Sequence, residues 1–186
     1  MKKVTLQNTI LTLMTELEKE YGWKFTDEEY KNTPIRIKNM FDEFKRKNEY
    51  TKFTEFNNTS NYDALIVMNG INTYSFCSHH LLPFFGTASV VYLPNKKILG
   101  ASKLVRIVQK FSYKGNSQEA LTVEIADELN KILEPRALMI FIEARHLCML
   151  MRGVEESGSV MTTSAIRGDF FENISLKEEA LRLIGR

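Results

Sequence analysis

The 186-residue chain has only two cysteines, three histidines and no long apolar run. Two cysteines do not make the disulfide framework of a small secreted domain, and in a reducing compartment Cys and His pairs more often serve as metal ligands. No segment approaches the ~20 apolar residues that a bilayer span requires. The opening Met1-Lys2-Lys3-Val4 leads into an amphipathic segment rather than a secretory h-region, so a cytoplasmic protein with no membrane partner is expected. Charge of one sign is lacking too: 25 Lys and Arg against 23 Asp and Glu leave a net charge of +2. That balance does not by itself announce a nucleic-acid partner, and neither a Cys-x-x-Cys ribbon nor an aromatic RNA-binding pattern accompanies the cations. Internal repeats and low-complexity tracts are missing as well. What remains is the composition of an ordinary soluble globular protein, 44% hydrophobic and 26% charged, with a length that suits one domain carrying a helical extension.

The few soft ligands are not scattered. All five fall into Cys77-x-His79-His80 and His146-x-Cys148, and thiolate with imidazole is the ligand set that selects zinc over harder cations. One metal site assembled from two distant segments is the economical reading. In an extended segment His79 and His80 point to opposite sides, whereas Cys77 and His80 can converge across a turn. On a strand, His146 and Cys148 share one face, continuing the apolar row Leu138, Ile140, Ile142, Ala144. Spacing leaves open whether the site is closed by four protein ligands, and structural, or keeps a position for water, and catalytic.

Taken in order, the chain starts with an amphipathic helix ending near Tyr21-Gly22. Thr33-Pro34 reads as N-cap and first position of a second helix that buries Ile37, Met40, Phe41 and Phe44. Residues 64–76 read as a strand interrupted near Asn69-Gly70, and residues 84–93 as its return, closed by Pro94-Asn95. Gly100-Ala101-Ser102 opens a helix with an apolar stripe of Leu104, Ile107, Val108 and Phe111 opposite Lys103, Arg106 and Lys110. Cations in the first turns oppose the macrodipole, a placement that makes sense where an anion is bound. A helix from about Asn116 has Glu119 in capping-box position, a strand runs over residues 137–151, another over 158–168, and Ser175-x-x-Glu178 opens a last helix.

Six ordered motifs resemble GTP cyclohydrolase I over roughly residues 33–171: Thr33-Pro34-x-Arg36, Cys77-x-His79-His80-x-x-Pro83-Phe84-x-Gly86, Tyr92-x-Pro94, Gly100-x-Ser102-Lys103-x-x-Arg106, Gln118-Glu119-x-Leu121-Thr122 and His146-x-Cys148-Met149-x-x-Arg152-Gly153. The resemblance implies an α+β tunnelling fold, an antiparallel sheet with two helices on one side, with an N-terminal helical extension over residues 1–50 and the catalytic domain over 51–186. It implies that Cys77, His80 and Cys148 hold zinc with a position left for water, that His146 is acid and base, and that His79 assists. Gln118 and Glu119 would hold the guanine edge of GTP. Ser102 belongs to the same substrate motif, and Lys103, Arg106, Arg152 and Arg36, the last from this or a neighbouring subunit, would hold the triphosphate. The products would be formate and 7,8-dihydroneopterin triphosphate, and the assembly a decamer of two pentamers with active sites between subunits.

Several positions depart from the family pattern. Ser78, Ser89, Asn39 and Ala120 stand where Glu, His and basic residues are usual, and Tyr113-Lys114-Gly115-Asn116 replaces an arginine-rich stretch. Positive charge near the triphosphate is thinned, with Lys38 and Lys114 as candidates to compensate. Two other readings compete: a tunnelling-fold relative acting on another purine nucleotide, and a non-catalytic, zinc-stabilised oligomer that binds nucleotide or protein.

Overall fold

The structure, a computed structural model, describes residues 4–186. The chain divides into two compact units, one ending at Arg46 and the other spanning Lys47–Arg186. Among the described residues no helix is long and apolar enough to cross a membrane.

In the first unit, α1 (Leu6–Tyr21) starts where the Thr5 side chain accepts from the Asn8 N–H and stops where Gly22 adopts φ +69°, a left-handed cap that glycine enters without a Cβ clash. Helix α2 (Asp27–Asn48) does not start at Thr33. Its entry is a reciprocal capping box: Thr26 N–H donates to Glu29 Oε2 at 2.8 Å, and Glu29 N–H donates to Thr26 Oγ1 at 3.3 Å. Asp27, Glu28 and Glu29 add negative charge to that first turn, so local caps outweigh the proline signal and Pro34 lies buried inside the helix. Met40 and Phe41, expected to be buried, are exposed at 36% and 42% in the single chain.

The second unit is built on a five-stranded sheet of order β5-β2-β3-β6-β7: β2 (Ile66–Cys77), β3 (Pro83–Leu93), β5 (Gly115–Asn116), β6 (Ala137–His146) and β7 (Met161–Gly168). Every pairing is antiparallel except the short parallel β2–β5 contact, and β1 (Glu55–Asn57) with β4 (Lys97–Leu99) forms a separate two-stranded ribbon. The interruption expected at Asn69-Gly70 is a register shift between Met68 and Ile71, with Gly70 at φ +70°. This bulge matters because side chains alternate with period two. Ile66 and Met68 face the helix-side core before it, and Ile71 and Cys77 face the same core after it. Without the extra residue Cys77 would point to the other side.

That core lies between the sheet and two helices, α3 (Ala101–Phe111) and α4 (Gln118–Leu133), whose Leu104, Ile107, Val108, Leu121, Ile125 and Leu129 meet Phe84, Val90, Tyr92, Leu138, Ile140 and Ile142. The opposite face is covered at one end, where Val91, Leu93, Ala137 and Met139 pack with Phe170 and with Ala180 of α6 (Ile174–Leu183). Two helix starts differ from expectation. Ser117, not Asn116, caps α4 by accepting from the Ala120 N–H, and Asn173, not Ser175, caps α6 by accepting from Leu176 N–H. Glu119 is thereby released from a capping role and stands exposed in the first turn of α4.

Gly86 shows why one motif position must be glycine. It lies opposite Ala144 in the β3–β6 ladder, and a Cβ there would overlap the Glu143 carbonyl and the Ala144 backbone. Backbone cannot move aside as a side-chain tip can. Gly86→Ala is expected to cost about 3 kcal/mol or more, at the top of the usual overpacking range; a urea midpoint equal to wild type would show that the strands can part without penalty.

Candidate active site

Strand β2 ends at Cys77, and a tight loop returns the chain into β3. Cys77 N–H donates to the Leu82 carbonyl at 2.9 Å, Leu81 N–H donates to the Cys77 carbonyl at 2.8 Å, and Leu81 takes φ +54°, a conformation rare for a branched residue. The loop departs from the extended reading of the two histidines. Ser78, His79 and His80 form a turn, and both imidazoles approach one sulfur: His79 Nδ1 is 3.7 Å and His80 Nδ1 3.8 Å from Cys77 Sγ.

The other half of the site comes from β6. The row Leu138, Ile140, Ile142, Ala144 is buried against the helices as expected, and His146 continues it at the strand's last position. In register with Phe84, its ring stacks on the phenyl at 4.5 Å and 8°. The strand does not continue to Met151. It gives way to a short helix, α5 (Leu147–Leu150), which carries Cys148, so His146 and Cys148 are displayed by a strand end and a helical turn rather than by one strand face. Cys77, His80 and Cys148 then group with all three ligand atoms within 4.8 Å of one another.

Those separations fit a metal. A tetrahedral ion with bonds of about 2.3 Å to sulfur and about 2.0 Å to nitrogen holds such atoms about 3.5–3.8 Å apart, and the Cys77–His80 spacing of 3.8 Å is already there. The electrostatics agree. Burial pushes the Cys77 thiol up, but hydrogen bonds from His80 and His79 outweigh it and bring the group down to about 6. Burial and the neighbouring Cys77 sulfur raise Cys148. One thiolate is therefore ready at neutral pH, and the second waits for a cation to displace its proton.

Gln118, expected at the substrate's edge, is 1% exposed. Its amide nitrogen donates to the Ile142 carbonyl at 3.1 Å, the Met161 carbonyl at 3.0 Å and Thr163 Oγ1 at 3.1 Å, more acceptors than its two hydrogens can fully serve. Its Oε1 lies 2.9 Å from His146 Nε2. Since that oxygen only accepts, Nε2 carries the proton and Nδ1 keeps the free lone pair in the neutral ring. Gln118 thus holds the histidine and ties β6 to β7. Gln118→Leu is expected to lower kcat about tenfold by freeing the imidazole while leaving KM for the substrate near wild type. A raised KM at unchanged kcat would mean that the amide serves the substrate.

Burial also pushes the His146 imidazole below its ordinary value, and the Glu119 carboxylate opposes that shift. An apolar cavity of 180 Å³ opens beside His146, lined by Ala144, Met149, Leu150, Val160 and Met161. Neither this cavity nor the Phe84 platform was foreseen. Phe84 stands inside a quoted motif, but a stacking partner can be named only once the β3–β6 register is known.

The anion-binding candidates lie elsewhere in the unit. Leu99, next to the start of α3, donates its N–H to the Tyr92 hydroxyl at 3.4 Å, and Tyr92 pairs with Ile66 at the sheet end opposite the Phe76–Pro83 pair. At the other end of α3, Tyr113 N–H donates to the Tyr74 carbonyl at 2.7 Å, near Cys77. Ser102 and Lys103, in the first turn of α3, are therefore at the far end from Cys77 and His146, and Arg106 lies midway along the helix. Arg152 lies near enough to Cys148 to lower its pKa, a minor influence beside burial and Cys77. Arg36 pairs with Glu28 at 3.2 Å. Lys38 and Lys114, the candidates to compensate for lost charge, are paired with Asp42 and Glu124.

A family model described as GTP cyclohydrolase I matches residues 9–185. The chain belongs to the GTP cyclohydrolase I family. Relatives named GTP cyclohydrolase 1 include that of Hydrogenobaculum sp. (strain Y04AAS1), 48% identical over 163 residues and covering 88% of this chain and 89% of its own. That of Aquifex aeolicus (strain VF5) is 47% identical, covering 83% of each chain, and that of Methylococcus capsulatus (strain ATCC 33009 / NCIMB 11132 / Bath) is 38% identical, covering 97% of this chain and 100% of its own. Among solved structures, an apo archaeosine synthase QueF-Like chain aligns with a TM-score of 0.49 at 15% identity, over 57% of this chain and 96% of that one. The α+β tunnelling architecture expected of a GTP cyclohydrolase I, an antiparallel sheet with two helices on one side, is the one seen here.

Proposed function

We propose that the chain is a GTP cyclohydrolase I that hydrolytically opens the imidazole ring of GTP, releases formate and forms 7,8-dihydroneopterin triphosphate. The observation that carries this reading is the grouping of Cys77, His80 and Cys148 at the strand end where His146 is held, by Gln118 and Phe84, in a defined tautomer and orientation. Those three residues would hold zinc, which would supply a Lewis acid that lowers the pKa of water towards ~7.

The protein's own groups then have separable tasks. His146, neutral because burial holds its pKa low, takes a proton from the attacking water and returns it to the ring nitrogen as the C8–N bond breaks. His79 assists beside Cys77. Glu119, freed from capping α4, accepts from the guanine N1–H and exocyclic amine together. The apolar slot beside His146 shields one side of the imidazole from bulk solvent. Ser102, Lys103, Arg106, Arg152 and Arg36 receive the triphosphate. The test is release of formate and dihydropterin from GTP by the zinc-loaded protein, abolished by chelator. A zinc-loaded protein that leaves GTP intact would return attention to other purine nucleotides, because paired Lys38 and Lys114 leave the phosphate site thin in charge.

The reading extends to a cytoplasmic homo-oligomer, a decamer of two pentamers, with each active site shared between subunits. Its support is the separation of Lys103, in the first turn of α3, from His146 along the sheet. Mixing and reassembling two inactive variants, His146→Ala and Arg106→Ala, is expected to restore formate release, since some shared sites then receive one intact half from each chain. A mixture as inactive as its components would place both halves of the site in one subunit.

A further inference from the structure

Lys103 and Arg106 share an aromatic neighbour that none of the family motifs includes. Lys103 Nζ donates to the Tyr50 hydroxyl at 3.2 Å and lies 5.9 Å from the ring centroid, and the Arg106 guanidinium carbon lies 4.7 Å over the same ring. Tyr50 is anchored on both sides. Asn48 donates its side-chain amide to the Lys110 carbonyl at 2.7 Å and the Ser112 carbonyl at 2.6 Å, at the C-terminal end of α3. Phe53 meets the Tyr50 ring edge-on at 5.3 Å and receives the Lys110 ammonium over its own face at 5.4 Å. The segment 48–53 therefore runs along the cationic stripe of α3.

The stripe needs such support. Lys103 and Arg106 are three residues apart on one helix face, so they repel each other, and Lys103 stands in the first turn, where the helix dipole disfavours cations. Lys110, in the last turn of α3, and Lys114, beyond it, are instead paired with carboxylates, Glu128 and Glu124. Lys103 and Arg106 have no carboxylate partner among the described residues. A carboxylate would hold them but cancel the charge an anion must meet. An aromatic face attracts a cation and leaves its charge intact, and a phenol oxygen that accepts from Lys103 keeps its own O–H to donate outward.

We infer that Tyr50 is a positioning residue of the triphosphate subsite: it holds Lys103 and Arg106 in place, fully charged, before the anion arrives. The inference rests on reading those two residues as the phosphate-binding cations. Its test uses zinc-loaded full-length protein and inorganic tripolyphosphate, followed by calorimetry, beside GTP kinetics. Tyr50→Leu is expected to weaken tripolyphosphate binding about tenfold and raise KM for GTP similarly with kcat little changed. Tyr50→Phe, which keeps the ring and loses only the Lys103 hydrogen bond, should lose about two- to threefold and remains informative if the leucine variant folds poorly. In a Lys103→Ala/Arg106→Ala background the Tyr50 substitution should have no further effect, because its partners are gone. Wild-type tripolyphosphate affinity in folded Tyr50→Phe and Tyr50→Leu, or a loss of equal size in the double-alanine background, overturns the inference. Tyr50-dependent tripolyphosphate binding in a protein that releases no formate from GTP would sink the proposed activity and leave this inference standing.

Discussion

His146→Ala is expected to lower kcat for formate release by about 10²–10⁴-fold, the range that a positioned general acid–base contributes, while the protein still folds and binds one zinc per chain. The imidazole is half-buried on Phe84 and hydrogen-bonded to Gln118, so its loss also costs some stability, on the order of 1–3 kcal/mol. That cost cannot account for the rate effect, because a folded, zinc-loaded variant has already absorbed it. A pH profile separates the two further. Burial depresses the His146 pKa, so protonation, which removes the base, sets in only below the ordinary histidine value of ~6.5; in wild type the acid-side fall of kcat/KM should lie below that pH. An acid limb above it would assign proton transfer to another group. If His146→Ala instead loses its zinc, the histidine is a ligand and the site is a closed, structural one.

Cys77→Ala should abolish both turnover and stoichiometric zinc. Cys77 lies at the centre of the cluster, with both loop imidazoles within 3.8 Å of its sulfur, and it is the thiol already inclined to ionise, at about 6. A metal bound only by the folded state adds about 4 kcal/mol at a thousandfold excess over its Kd, so chelator should lower the thermal midpoint of wild type and leave that of Cys77→Ala unmoved. The two thiols also predict a proton count. At pH 7 Cys77 is largely ionised whereas Cys148, raised by burial and by Cys77, keeps its proton. Zinc uptake should therefore release about one proton from the thiol pair rather than two, and affinity should rise with pH above 6 until Cys148 ionises unaided. Calorimetry in buffers of different ionisation enthalpy reads this number directly. Retention of one zinc per chain in Cys77→Ala would remove this residue from the ligand set.

Much of the architecture was legible from local pattern. Enrichment in β-branched and aromatic residues, with turn residues, located β2 and β3, and the Asn69-Gly70 interruption marked a true bulge. The apolar stripe of α3 and the row leading to His146 were both buried as read. Errors gathered where two local signals competed for one boundary. Thr33-Pro34 lost to the capping box at Thr26 and Glu29, Asn116 lost to Ser117, and the strand through residue 151 ended at His146 because α5 follows. Two of these shifts bear on candidate site residues: Glu119 is free of a capping role, and Cys148 is carried by α5 rather than by β6.

By itself the sequence determined the chemistry: which residues can ligate a metal, which can move a proton, and which carry the charge for an anion, since those capacities belong to side-chain types and their spacing. Tertiary structure decided how they are shared out. Gln118 became the support of His146 because its buried amide must pair with groups on β6 and β7. Lys103 was carried to the far end of the sheet, because α3 starts beside Leu99 and Tyr92. Tyr50 came to lie beneath those cations from 53 residues away along the chain. No local pattern encodes such pairings, because they exist only once strand register and helix packing bring distant segments into contact.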